Sequence, residues 1–167
     1  MSDVTLRPLT AADWPVVRTI YVDGIASGDA TFETEPPDWE EWHASRLPVG
    51  RIVAEQEGRV IGFAALSPTS RRPVYAGVAE VMVYVGVESR GRGVGGRLMS
   101  RLVEESEAAG IWTLQASIFP ENEPSISAHL RAGFREVGRR ERIARFHDGR
   151  WRDTVVLERR SRAVGTG

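Results

Sequence analysis

The segment from Glu80 to Gly110 constrains this chain more than any other. An apolar run, Val81-Met82-Val83-Tyr84-Val85, passes through Gly86-Val87-Glu88-Ser89 into Arg90-Gly91-Arg92-Gly93-Val94-Gly95-Gly96. Beyond it, Val94, Leu98, Leu102 and Val103 recur at helical spacing. Strand, glycine-rich turn and helix N-terminus in that order make an anion cradle. Backbone N–H groups converge there, the helix dipole adds partial positive charge, and glycines admit a phosphate to the main chain. Two nucleotide loops are excluded. A G-x-x-x-x-G-K-[ST] loop needs a lysine, and all 22 basic residues of this chain are arginine. A dinucleotide fingerprint needs G-x-G-x-x-G, whereas Gly91, Gly93 and Gly95 alternate here, with Gly96 beside the last. Taken alone, the turn also admits a plainer reading, a glycine-rich connection with a solvated arginine.

A chain of 167 residues, 41% apolar, predicts one domain, residues 1–160, and a disordered tail, residues 161–167. The net charge of −1 gives no reason to expect nucleic acid or an anionic membrane as a partner. With no cysteine there is no disulfide framework, no thiolate zinc site and no acyl-cysteine intermediate. With no lysine there is no Schiff base. Asp3-Val4-Thr5-Leu6-Arg7 lacks an apolar leader and no segment is long enough to span a bilayer, so the expectation is cytoplasmic. His43, His129 and His147 lack metal-ligand spacing, and no metal is expected.

Along the chain, Val4–Arg7 reads as a strand, and Thr10 to Asp13 offers an N-cap for a helix through Trp14, Val17, Ile20, Tyr21 and Ile25. Residues 28–37 form a loop, and Asp38 opens a second helix carrying Trp39 and Trp42. Arg51–Glu55 and Val60–Leu66 read as a hairpin around Glu57-Gly58, followed by a polar loop from Pro68 to Gly77. After the glycine-rich turn and third helix come a strand (Trp112–Ile118) and a fourth helix ending at Ala132-Gly133. A closing hairpin pairs Gly138–Phe146 with Thr154–Arg159 across Asp148-Gly149.

The spacing Arg90-x-x-Gly93-x-Gly95 resembles the pyrophosphate loop of the GNAT N-acetyltransferase superfamily. The order β-α-α-β-β-β-α-β-α-β-β is also the GNAT order. The resemblance implies an α/β (α+β) fold, a mixed, mostly antiparallel central sheet flanked by four helices. It implies acetyl-CoA as co-substrate, and a homodimer.

Strand alternation puts Glu80, Met82 and Tyr84 on one face and Val81, Val83 and Val85 on the other. Glu80 has two readings: a structural ion pair with one of the many arginines, or a general base. An amine acceptor arrives as ammonium and must lose a proton before it attacks a thioester. A partly desolvated glutamate, with its pKa raised, suits that work. Asn122, the chain's only asparagine, is either an N-cap or, as GNAT resemblance implies, a ligand of the pantetheine arm. His129 shares a helical stripe with Ile126 and Leu130 and points inward. It is either a satisfied core residue or stands where GNAT enzymes commonly carry the tyrosine that protonates the departing thiolate.

Within the superfamily the chain resembles the phosphinothricin and methionine sulfoximine N-acetyltransferase group over about residues 3–160. The matching segments are Phe32-x-Thr34-Glu35-Pro36, Arg72-x-x-Tyr75, Ala79-Glu80, Val83-Tyr84-Val85, Asn122-x-Pro124-Ser125 with His129, and Asp148-Gly149-x-Trp151-x-Asp153. By resemblance Glu80 is the base and His129 its catalytic neighbour. Val83, Tyr84 and Val85 pair edge-on with pantetheine, and Arg90, Gly91, Arg92, Gly93, Val94, Gly95 and Gly96 hold the pyrophosphate. Asn122 and Ser125 bind the arm, while Phe32, Arg72 and Tyr75 face the amino-acid acceptor. The chain departs from the group in lacking a tryptophan shortly before Glu80, and Arg71-Arg72 is unusually basic. Two other functions are open: an N-acetyltransferase of proteins or peptides, and a CoA-binding regulatory module without catalysis.

Overall fold

Local chemistry starts each helix where the chain must turn. The structure, a computed structural model, describes residues 3–167; the expected domain start at residue 1 lies outside them. Strand β1 (Thr5–Pro8) leads to α1 (Trp14–Ala26) through a single 3-10 turn. There the Asp13 carboxylate accepts from the Thr10 N–H at 2.8 Å and from Arg7 at 2.9 Å. Asp38 caps α2 (Trp39–Ser45) by accepting from the Glu41 N–H at 2.9 Å. Strands β2 (Ile52–Gln56), β3 (Arg59–Pro68) and β4 (Val78–Val85) follow. Helix α3 (Val94–Ala108), β5 (Thr113–Ile118), α4 (Glu123–Arg131), β6 (Arg135–Arg145) and β7 (Trp151–Arg160) complete the chain.

The seven strands make one sheet in the order β1-β2-β3-β4-β5-β7-β6. Every neighbouring pair is antiparallel except β4 and β5. The expected mixed, mostly antiparallel sheet with four helices is therefore present. The last two strands are longer than their sequence suggests. Arginine-rich β6 begins before Gly138, where the sequence reading starts it: Arg135 pairs with Glu158, and Arg139 reaches Asp153 at 2.7 Å, across the β6–β7 ladder.

Each face of the sheet carries its own core. On the α3–α4 side the cluster is aliphatic, with Leu66, Leu98, Leu102, Leu114 and Leu157 at its centre. Truncating fully buried Leu98 or Leu102 to alanine would cost about 2–5 kcal/mol, a large part of a domain's stability. On the α1–α2 side the cluster is aromatic, built on Trp14, Tyr21, Trp42 and Phe63. Val81, Val83 and Val85 of β4 pack against the first cluster, Met82 and Tyr84 against the second. Helix α1 lies so close to β4 that a Cβ on Gly24 would sit 2.4 Å from the Tyr84 ring.

The segment from Ser161, expected to be disordered, is tied down instead. The Arg160 guanidinium donates to the carbonyls of Ser161 (2.8 Å) and Val164 (3.0 Å), and Ser161 Oγ donates to Glu107 at 2.8 Å. Its composition gave no sign of this, because the partners are main-chain carbonyls and the distant Glu107 carboxylate. Among the described residues no helix is long and apolar enough to cross a membrane.

Candidate active site

The ladder between β4 and β5 runs only from Val78↔Thr113 to Glu80↔Gln115. Beyond Glu80, β4 continues along β3 as far as Val85, while β5 continues along β7. The two strands part in the middle of the sheet. Residues 81–85 are only half-buried despite their central place, and their β5-facing backbone groups have no strand opposite. Such an edge can pair with an extended ligand carrying amides.

Glu80 stands where the strands part, on the same strand face as Met82 and Tyr84. Burial raises its pKa above the ordinary carboxylate range; a hydrogen bond with Gln115 and the charges of Arg46 and Arg140 pull the other way. Tyr84 stacks on Tyr21 (ring centroids 5.1 Å) and on Phe63 (5.5 Å), and burial first, then the Glu33 charge, pushes its hydroxyl up to about 12. The buried Tyr21 hydroxyl donates to Glu33. Loop 28–37 is thereby joined to the reaction strand through stacked rings.

At the other end of β4 lies the glycine-rich turn. Gly91 (φ +75) and Gly93 (φ +81) lie in the left-handed region, where a side chain is strained. Val94, Gly95 and Gly96 form the first turn of α3, whose leading N–H groups have no acceptor within the helix. A Cβ on Gly91, Gly93 or Gly96 would meet nothing within 4 Å, so the approach is open. Arg90 Nε donates to the Val85 carbonyl at 3.1 Å, capping the strand. Neither Arg90 nor Arg92 has an ion pair among the described residues. Together these features make an electropositive main-chain cradle.

Asn122 caps α4: its Oδ1 accepts from the Ser125 N–H at 3.4 Å, and Nδ2 donates to the Asp29 carbonyl at 3.0 Å. The capping alternative for this residue is thus present, with a tie to loop 28–37 added. One turn beyond Ser125, His129 is 8% exposed, lies edge-on to Phe134 at 5.0 Å and has its pKa lowered by burial. Its Nδ1 is 2.7 Å from the Ser125 carbonyl, which assigns the proton to Nδ1 and leaves the Nε2 lone pair free. His129 is therefore a neutral acceptor. Leu130, expected on the same inward stripe, is 47% exposed instead. Among the described residues no hydrogen bond joins Glu80 and His129.

Phe32 packs edge-on against Phe119 at 4.7 Å and tilts toward Phe146 at 6.4 Å. Arg152, beneath them, lies 3.7 Å from the Phe119 ring centroid and donates to Gly28 O (2.7 Å), Asp29 (2.8 Å) and Glu121 (3.1 Å). Arg72 and Tyr75 sit on the exposed turn before β4, the guanidinium 5.5 Å from the ring centroid. Three residues that the fold brings to this region escaped sequence reading. Gln115 was visible only through the parallel register that opposes it to Glu80. Arg46 and Arg152 had no local signal at all, because long-range packing brings them here.

Residues 13–134 match the acetyltransferase (GNAT) family. The phosphinothricin N-acetyltransferase of Streptomyces coelicolor is 32% identical over 166 residues, 95% of this chain and 96% of that relative. A GNAT superfamily phosphinothricin acetyltransferase from Sinorhizobium meliloti, solved in complex with acetyl-CoA, superposes with a TM-score of 0.86. It is 31% identical, with 98% of this chain and 91% of that one covered. A ribosomal-protein-alanine N-acetyltransferase from Brucella melitensis superposes with a TM-score of 0.84 at 30% identity, over 94% of this chain and 99% of that one. The chain belongs to the GNAT acetyltransferase family and is an acyltransferase, close in sequence to the phosphinothricin N-acetyltransferases.

Proposed function

We propose that this enzyme moves an acetyl group from acetyl-CoA, by direct transfer, to the α-amine of a small amino-acid-like acceptor. Acceptors of the phosphinothricin, methionine sulfoximine or methionine sulfone type are those the resemblance implies. One observation carries the reading: a half-buried carboxylate with a raised pKa, Glu80, sits where β4 and β5 part.

In this reading the pantetheine amides pair with the open edge at Val83, Tyr84 and Val85, and its pyrophosphate lies in the cradle from Arg90 to Gly96. Asn122 and Ser125 meet the arm; Phe32, Arg72 and Tyr75 face the acceptor. Glu80 takes a proton from the ammonium, and the freed amine adds to the thioester carbonyl. The tetrahedral adduct then carries a positive nitrogen. His129 Nε2, an acceptor in the neutral ring, takes the second proton and passes it to the CoA sulfur as the C–S bond breaks. The amide and CoA leave, and Glu80 returns its proton to water. No acyl-enzyme is needed. The family implies a homodimer with the C-terminal hairpin near its interface, and we place the enzyme in the cytoplasm.

A second reading, acetylation of a protein N-terminus, is favoured by the likeness to the Brucella structure. CoA release from acetyl-CoA across amino acids, sulfones, sulfoximines and alanine-initiated peptides separates the two. The amino-acid reading requires at least one free amino acid to outpace every peptide in kcat/KM; the reverse ranking sinks it. The protein has no thiol to react with the dye that measures CoA.

A further inference from the structure

We infer that Arg46, at the C-terminal end of α2, holds the acceptor's carboxylate; the inference rests on the amino-acid reading above. The Leu47 N–H donates to the Leu66 carbonyl at 2.8 Å, which pins the end of α2 onto β3. Its neighbours there are close to the reaction strand, for Ala65 pairs with Met82 and Leu66 with Val81. The Arg46 side chain crosses from this point toward β4, and one terminal nitrogen lies 3.6 Å from Met82 Sδ. Met82 is two residues from Glu80 on the same strand face, and Glu80 feels the Arg46 charge.

The guanidinium there is not satisfied by the fold. Its Nε is buried with no hydrogen-bond partner, and the other nitrogens meet only Ser45 Oγ at 3.3 Å and the thioether. No carboxylate pairs with it among the described residues, whereas Arg7, Arg139, Arg150, Arg152 and Arg159 each have one within 3.1 Å. Arg51, beside it, shows the contrast. That side chain donates to the carbonyls of His43, Arg46 and Leu47, and burial and the Arg46 charge lower its pKa. Both guanidiniums stand over Trp42, at 5.7 and 5.6 Å from the ring centroid. The fold thus gathers two positive charges against one indole, and neither forms an ion pair among the described residues.

Idle buried donors are unfavourable, and a carboxylate presenting two oxygens to a guanidinium relieves them. An α-amino acid carries its carboxylate one carbon from its amine. An amine at Glu80 therefore carries its carboxylate along the strand face on which Arg46 reaches Met82, two residues away. A groove of about 900 Å³ lined by Glu33, Glu35, Ser45 and Arg46, among others, opens beside it. Its lining sets Glu33, Glu35, Asp38 and Glu41 against Arg18 and Arg46, and of the two cations Arg46 is the one that also reaches Met82 on the face of Glu80. Arg72, exposed and laid over Tyr75, is left to meet the acceptor at the mouth.

The test compares methionine sulfone with its carboxamide as acceptors for wild type, Arg46→Met, Arg46→Lys and Arg72→Ala. Wild type should prefer the acid. In Arg46→Met the KM for the acid should rise about 10- to 100-fold, the loss of a charge-assisted pair. The amide should suffer far less, so the acid-to-amide ratio of kcat/KM collapses toward one. Arg46→Lys should recover part of the preference. The melting temperature of Arg46→Met should hold or rise, since an unpaired buried donor is removed; a structural arginine would lower it. Retention of the wild-type ratio in Arg46→Met overturns the inference, and loss of the ratio in Arg72→Ala alone reassigns the carboxylate to the mouth. Loss of the Arg46 charge should also move the acidic limb upward for acid and amide alike; that shift with an unchanged acid-to-amide ratio would show that Arg46 acts only through Glu80, and overturns the inference too. A wild type that treats acid and amide alike removes the amino-acid reading itself.

Discussion

On the α3 side of β4, Val81, Val83 and Val85 rest on an aliphatic core and lead into a cradle made of main chain. On the α1–α2 side, Glu80, Met82 and Tyr84 face stacked tyrosines, a guanidinium and a loop held from three directions. The first half recognises by backbone N–H groups and helix dipole, so few side chains are needed and glycines leave the room. The second tunes charge by burial, so every member depends on neighbours brought from distant segments. Ligand affinity on the cradle side should therefore be separable from stability, whereas chemistry on the other side should be coupled to it.

The largest expected effect is at Glu80. Glu80→Gln keeps shape and hydrogen bonding but cannot accept a proton, and loss of a general base lowers kcat by about 10²- to 10⁴-fold. Wild-type kcat/KM should rise with pH on its acidic limb, and that limb should flatten in the mutant. Stability moves the other way. The folded-state pKa of Glu80 is raised, so the folded protein holds this proton more tightly than the unfolded chain does. The contribution of Glu80 to stability is full below the ordinary carboxylate pKa and is lost as pH rises through the raised value. Glu80→Gln should therefore melt higher than wild type near pH 7, with the gap closing in acid. A mutant of normal kcat that melts lower would make Glu80 a structural ion-pair member and erase the contrast between the two sides.

The cradle gives the next effect. Gly93 is a poor probe, because any side chain there is strained at φ +81. Gly96 has helical geometry and empty space around its Cα. Gly96→Ala should raise helix stability by up to about 1 kcal/mol. The new methyl should also keep a phosphate from the N–H groups, weakening acetyl-CoA binding about 10- to 100-fold, the value of a charge-assisted hydrogen bond. Calorimetry and a thermal melt on the same sample read both. Unchanged affinity would dissociate the cradle from the cofactor.

The same contrast explains what was legible in the sequence. The cradle is one contiguous stretch, Arg90 to Gly96, so its spacing, set between an apolar strand and a periodic helix, pointed to phosphate and to the fold around it. Glu80, Asn122 and His129 were visible as odd residues against local patterns: an acid opening an apolar strand, a lone amide before a helix, an imidazole on an inward stripe. Gln115, Arg46 and Arg152 were not visible, since each reaches the site through strand register or the crossing of a helix over a strand. The order at Ser161 to Gly165 was hidden for a related reason. It depends on Arg160 collecting carbonyls, and carbonyls belong to every residue.

The smallest effect expected on turnover is at Arg152, which sharpens the comparison by loosening only the acceptor half. The residue is 6% exposed and fixes loop 28–37 through Gly28 O and Asp29, beneath the Phe32–Phe119 pair. Arg152→Met keeps an apolar chain against Phe119 and Phe146 but removes all three donors. Asp29 and Glu121 are about half or more exposed and can return to water, so stability should fall by only about 1–2 kcal/mol. Asn122 still holds the Asp29 carbonyl, so the loop slackens without being released. The KM for the acceptor should rise a few-fold, with the KM for acetyl-CoA and the pH profile unchanged, because Phe32 shifts and Glu80 does not. Arg152→Lys, which can still reach Gly28 O, should recover part of the loss. Equal rises in both KM values would mean that loop 28–37 shapes the cofactor site as well, and that the two sides of β4 are one unit.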